Sequence, residues 1–209
     1  MTTLASRRED VHSGSPIGTA AALAQPVVAL LRELAGVVAQ LSPEQYTRRG
    51  DDAFFKGTIG GHVRHCLDHA RSLLDGLSTG VIDYDHRVRG TTIETDPIAA
   101  RDEIRRLRHL AEDAAMRSAA APVRVVIMPT RDGASIELGS TLGRELAFVL
   151  SHTIHHNATI KGMAVTMGVA LPTAFGYAPS TLAHQDAESA HDAPNTDACT
   201  SHGACRCAH

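Results

Sequence analysis

Apolar residues recur at helical spacing along four stretches of the chain. Val27, Leu30, Leu31, Leu34, Val38 and Leu41 form the first stripe. It predicts a helix over 18–41, with Pro26 acceptable in the first turn and Ser42-Pro43 as its end. Thr58 is placed to cap a second helix that runs to Leu77. Gly80 then opens an irregular stretch over 83–95, which has no helical stripe. Asp96-Pro97 pairs a capping Asp with Pro at the first helical position. The third helix is predicted to reach Ala119, with Ile98, Ile104, Leu107 and Leu110 inward and an Arg-rich outer face. A β-branched run, Val123 to Met128, and an alternating stretch, Ser135 to Leu138, flank Asp132-Gly133. That is the signature of a β-hairpin. Ser140 is the predicted cap of a fourth helix to Met167, with Gly168 in the left-handed position after it.

These elements predict an all-α fold, a four-helix bundle with a small inserted β-hairpin. The expected organisation is a flexible leader over 1–17, the helical domain over 18–184, and a tail over 185–209. Pro172 to Leu182, with Phe175-Gly176-Tyr177, reads as an ordered strap. After His184 the chain turns polar and rich in Ala and Asp, which predicts disorder.

Composition narrows the function. A length of 209 residues with 43% hydrophobic and 21% charged residues suits one well-buried core. The net charge of −3 gives no pull towards nucleic acid or anionic membrane. With aromatics at 3% and no Trp, a base-stacking platform is not expected. No apolar run approaches the roughly 20 residues that span a bilayer, and Met1 to Pro16 lacks the core of a secretory signal. Cys66 stands alone, while Cys199, Cys205 and Cys207 crowd the end, so no disulfide framework is indicated. A reduced, cytoplasmic setting is expected.

The chemistry lies in the 13 histidines. On the fourth helix His152 and His156 are separated by about 40° and one turn, so both rings can face one ion. His155 diverges from His156 by about 100°. The second helix offers His62, His65 and His69 along one stripe. A third ligand from that stripe would complete a three-nitrogen site with an open position, the catalytic type. A lone buried His is usually a hydrogen-bonded core residue, but two His stripes on separate helices favour a metal, because unpaired buried imidazoles are costly. His86 and His109 have no such partners and read as surface residues. Glu145 shares the His152 stripe, about 10 Å away along the axis. It either contacts the site or serves as a helix-N-terminal carboxylate, the reading the helix dipole favours. Asp68 is either an orienting partner for an imidazole or a solvated acid.

The segments Thr58-Ile59-Gly60-Gly61-His62-Val63-Arg64-His65 and Arg144-Glu145-Leu146-Ala147-Phe148-Val149-Leu150-Ser151-His152-Thr153-Ile154-His155-His156 carry a resemblance. So do Phe175 to Thr181 and Val81 to Asp85 with Arg87 and Arg89. Over roughly residues 26–184 the chain resembles the DinB-like (DinB/YfiT) superfamily of metal-binding four-helix bundles, in a bacterial branch. The resemblance implies one His from the second helix and the H-x-x-x-H pair of the last, here His65, His152 and His156. His65 is taken over His62 because it aligns with the ligand that ends the second-helix motif. The implied cofactor is a divalent transition metal ion, zinc first, with nickel, iron or manganese as alternatives. The implied partner is a small molecule or low-molecular-weight thiol, with no nucleic acid and no membrane, and a homodimer as an option. Gly90 stands where the branch commonly has an acid, which weakens any role assigned there.

Cys199, His202, Cys205, Cys207 and His209 form a dense run of soft ligands suited to Zn²⁺ or Cu⁺. Their spacing is not that of a standard zinc finger. Two functions are therefore expected to compete. One is an enzyme in which the metal activates a thiol or water. The other is a non-catalytic metal-binding or buffering protein that uses the tail.

Overall fold

A computed structural model of the protein describes residues 19–50 and 57–191. The described residues are mostly helical, with one small sheet. The chain divides into two compact units, Met1–Gly176 and Tyr177–His209. The Cys199 to His209 ligand run and the leader over 1–17 lie outside the described residues.

Four long helices make up most of the first unit: α1 (Ala21–Val38), α3 (Ile59–Gly76), α4 (Pro97–Ala114) and α5 (Leu142–Thr166). α1 packs on α4 and α5, and α3 packs on the same two. The apolar stripes drive this. Leu31 and Leu34 of α1, Leu67 and Leu73 of α3, Ile104 and Leu107 of α4, and Leu146 of α5 are fully buried in one core. Among the described residues α1 is the helix long and apolar enough to cross a membrane, yet seven of its residues are buried in this core.

Local signals set the helix starts. Thr58 Oγ1 accepts from the Gly61 N–H at 2.9 Å, and Asp96 Oδ1 accepts from the Ile98 N–H at 2.8 Å. Ser42 does not merely end α1. It forms a capping box with Gln45 and starts a short helix, α2 (Pro43–Thr47). Pro26 sits inside α1 rather than in its first turn. Ile98, expected inward, is 66% exposed. It lies in the opening turn of α4, on the side away from the buried Ala100. α4 stops at Ala114, five residues short of the expected end.

The hairpin is present as β2 (Pro122–Ile127) paired antiparallel with β3 (Ile136–Thr141). β3 runs on to Thr141, so Thr141 and not Ser140 caps α5. Just before the stretch read as irregular, and overlapping it at Asp83, lies β1 (Val81–Asp83), which joins β2 in parallel, with Ile82 opposite Val125. This pairing holds the following residues, Tyr84 to Arg87, in place. Tyr46 ties α2 to the 3-10 turn Thr92–Glu94 through a buried hydrogen bond from its hydroxyl to the Ile93 carbonyl, 2.7 Å. The turn comes so close to α3 that a Cβ on Gly60 would lie 2.1 Å from the Glu94 carbonyl oxygen.

In the second unit, α6 spans Pro179–His191, across the strap and the start of the expected disordered tail. It has no buried residue. Helix-favouring Ala183, Ala187 and Ala190, Pro179 at the first position, and the His184–Glu188 pair one turn apart account for a helix without an apolar stripe.

Candidate metal centre

α3 and α5 lie side by side, and their histidine stripes face each other. The His65 ring centroid is 5.1 Å from that of His152 and 4.7 Å from that of His156. His152 and His156, one turn apart, stand at 4.5 Å. The three expected ligands therefore meet. His69 joins them, with its centroid 3.6 Å from His152 and 4.8 Å from His65. His62 reaches His156, with Nδ1 atoms 3.4 Å apart. His155 lies 5.1 Å from His156 but points to the exposed side.

Proximity alone selects His65, His69 and His152 as a group that could hold a metal, with ligand atoms within 4.8 Å of one another. Ring orientation argues differently. An imidazole lone pair lies in the ring plane, so the ion must lie near the planes of all its ligands. His69 and His152 are stacked, with planes only 26° from parallel. Such planes do not meet near either nitrogen. His156 is inclined by 86° to His65 and by 55° to His152, so those planes do cross.

The cluster suits a cation chemically. Burial holds the His65, His152 and His156 rings down at about 3, with Arg87 adding to the effect at His65. Burial lowers His69 as well. These rings are neutral at pH 7 and offer lone pairs. His152 Nε2 is buried and has no hydrogen-bond partner among the described residues. A buried ring nitrogen left without a partner is costly unless something binds it.

Neighbouring groups fix the rings. His69 Nδ1 donates to the His65 carbonyl at 3.1 Å, because a carbonyl can only accept. Tyr84 stacks on His69 with centroids 5.5 Å apart, and its hydroxyl donates to Glu145 Oε2 at 2.9 Å. Glu145 is 0% exposed, and also accepts from Ser140 and Arg144. It lies in the first turn of α5, as the helix-dipole reading expects, and the hydrogen bond from Tyr84 links it to the site. Asp68 is buried and bonded to Arg64 and Arg71. Neither the orienting nor the solvated reading describes it. His86 and His109 are exposed, each beside a carboxylate. Arg87 Nη1 lies 2.6 Å from His65 Nδ1. The spacing of histidines showed the stripes, but not Arg87 or Tyr84, whose positions depend on the β1–β2 pairing.

Residues 5–160 match the family model described as the DinB superfamily. The crystal structure of a DinB-like protein from Bacillus cereus superposes with a TM-score of 0.52 at 13% identity, covering 75% of this chain and 97% of that one. A protein named FK506-binding protein 5 from Rhizopus delemar is 35% identical over 105 residues. That match takes in 50% of this chain and 27% of the relative's length.

Proposed function

Because this chain belongs to the DinB superfamily, we propose that it holds one divalent transition metal ion on His65, His152 and His156 and uses it to present a small thiol, or water, to a small electrophile. α1, α3, α4 and α5 are then the four helices of a DinB bundle, a reading supported by their mutual packing. The observation that carries the metal assignment is the gathering of three neutral, mutually inclined rings from two helices, with centroids 4.5–5.1 Å apart. His69 supports His152 by stacking rather than by ligation. His62 is the competing second-helix ligand, because it approaches His156.

Zinc is the first candidate, since three nitrogens and an open position match its catalytic sites. Such an ion lowers the pKa of a bound thiol or water and so supplies a nucleophile at neutral pH. The protein's own residues do the rest. The neutral imidazoles leave the charge of the ion uncompensated. Tyr84 and Phe148, which pack at 5.0 Å, cover the His69–His152 side of the cluster. A cytoplasmic, reducing setting accords with the buried Cys66, whose thiol burial pushes up to about 12 and so keeps unreactive.

Cobalt-loaded protein titrated with mercaptoethanol tests the thiol reading. A new thiolate-to-metal absorption band that saturates at one thiol per ion is expected. An unchanged spectrum would leave water as the activated group.

A further inference from the structure

Arg87 follows β1 and reaches back over the histidines. Its Nη1 is 2.6 Å from His65 Nδ1 and 3.4 Å from His69 Nδ1. His69 Nδ1 carries the proton it gives to the His65 carbonyl, so the longer approach is a contact only. At His65 the guanidinium must be the donor, because it has no acceptor. His65 therefore spends the lone pair of its neutral ring on Arg87.

A neutral imidazole has only one such lone pair. A metal bound at either ring nitrogen uses it, and the other nitrogen then carries the proton. His65 can no longer accept from Arg87. The half-buried guanidinium then needs another acceptor, and among the described residues no carboxylate is hydrogen-bonded to it. Asp68 holds Arg64 and Arg71. Asp85 accepts from the Met128 N–H at 2.6 Å. Glu145 is held by Tyr84, Ser140 and Arg144. Burial works against the charge on Arg87, while Asp68 and Asp85 favour it without a hydrogen bond to the guanidinium. Arg87 and the ion thus place like charges side by side with neutral ligands between them.

From this geometry we infer that the small molecule taken by the site carries a carboxylate, and that Arg87 binds this carboxylate beside the metal. The inference rests on the metal reading above and names the substrate class for it. A planar guanidinium matches a carboxylate through two parallel hydrogen bonds. In a thiol acid, the sulfur goes to the ion and the carboxylate, a few bonds away, to Arg87. The thiol proton leaves to solvent, and no covalent bond to the protein forms.

Calorimetry on the zinc-loaded full chain tests this with β-mercaptopropionate and its uncharged analogue β-mercaptopropionamide. The wild type is expected to bind the acid about tenfold more tightly, the worth of a charge-assisted hydrogen bond. Arg87→Gln should lose that preference while keeping its zinc and its affinity for the amide. Arg87→Lys, which retains the charge without the fork, should keep part of the preference and serves if the Gln variant does not fold. Equal binding of acid and amide by the wild type would overturn the inference, as would a preference that survives in Arg87→Gln. Either result leaves the metal reading standing. Absence of zinc overturns the metal reading and this inference together, whereas failure of both thiols to bind overturns this inference alone.

Discussion

His69 of α3 and His152 of α5 stack face to face, with ring centroids 3.6 Å apart and planes 26° from parallel. Two protonated rings would repel at this distance, so the stack excludes the doubly protonated pair. Burial holds them neutral, with His152 lowered from 6.5 to about 3 and His69 lowered as well.

A pH dependence of the metal-free protein follows. The unfolded rings keep their ordinary value of 6.5, and the folded His65, His152 and His156 rings titrate near 3. Between those values the unfolded chain binds more protons. Stability is complete above pH 6.5 and is lost as the pH falls towards 3. The melting temperature of the metal-free protein should therefore drop steadily from pH 7 to pH 4. A flat or rising profile from pH 7 to pH 5 would contradict neutral buried rings.

Tyr84 links the buried Glu145 carboxylate to the His69 face. Tyr84→Phe keeps the ring stack and leaves Glu145 with Ser140 and Arg144. The cost should be about 1–3 kcal/mol, that of a hydrogen bond to a buried charged group. Denaturant unfolding checks the loss, and metal stoichiometry should stay unchanged. Reduced metal content in this variant would give Tyr84 a closer part in the site.

Two glycines in helices should respond in opposite ways. At Gly60 a Cβ would meet the Glu94 carbonyl oxygen at 2.1 Å and Tyr46 Cε1 at 2.7 Å. Gly60→Ala forces the 3-10 turn off α3 and should cost about 1–3 kcal/mol. Gly36 in α1 has open space around its Cβ position. Gly36→Ala should stabilise the protein by about 0.5–1 kcal/mol through helix propensity. Thermal unfolding of the two variants reads both signs, and a neutral Gly60→Ala would refute the close packing of the turn.

Much of this arrangement was legible from local signals. Thr58 and Asp96 cap their helices as their side chains require, and the apolar stripes locate the buried faces. β1 was not legible, because three residues carry no period and their partner strand begins some forty residues later. Ser140 and Thr141 are both capping types, and strand pairing to the end of β3 chose between them. The histidine stripes were visible from spacing. Choosing among His62, His65 and His69 was not, since all three share one helix face and each ring approaches a histidine of α5. Arg87 reaches His65 across 22 positions and leaves no periodic trace.

The central claim is that His65, His152 and His156 hold one ion while His69 only supports the site. Metal content of freshly purified His156→Ala and His69→Ala, measured side by side with wild type by elemental analysis, tests it most directly. About one ion per chain is expected in the wild type and in His69→Ala, and most of it should be lost in His156→Ala, as loss of a ligand weakens the site. Full occupancy in His156→Ala with an empty His69→Ala would contradict the claim and give the third position to His69.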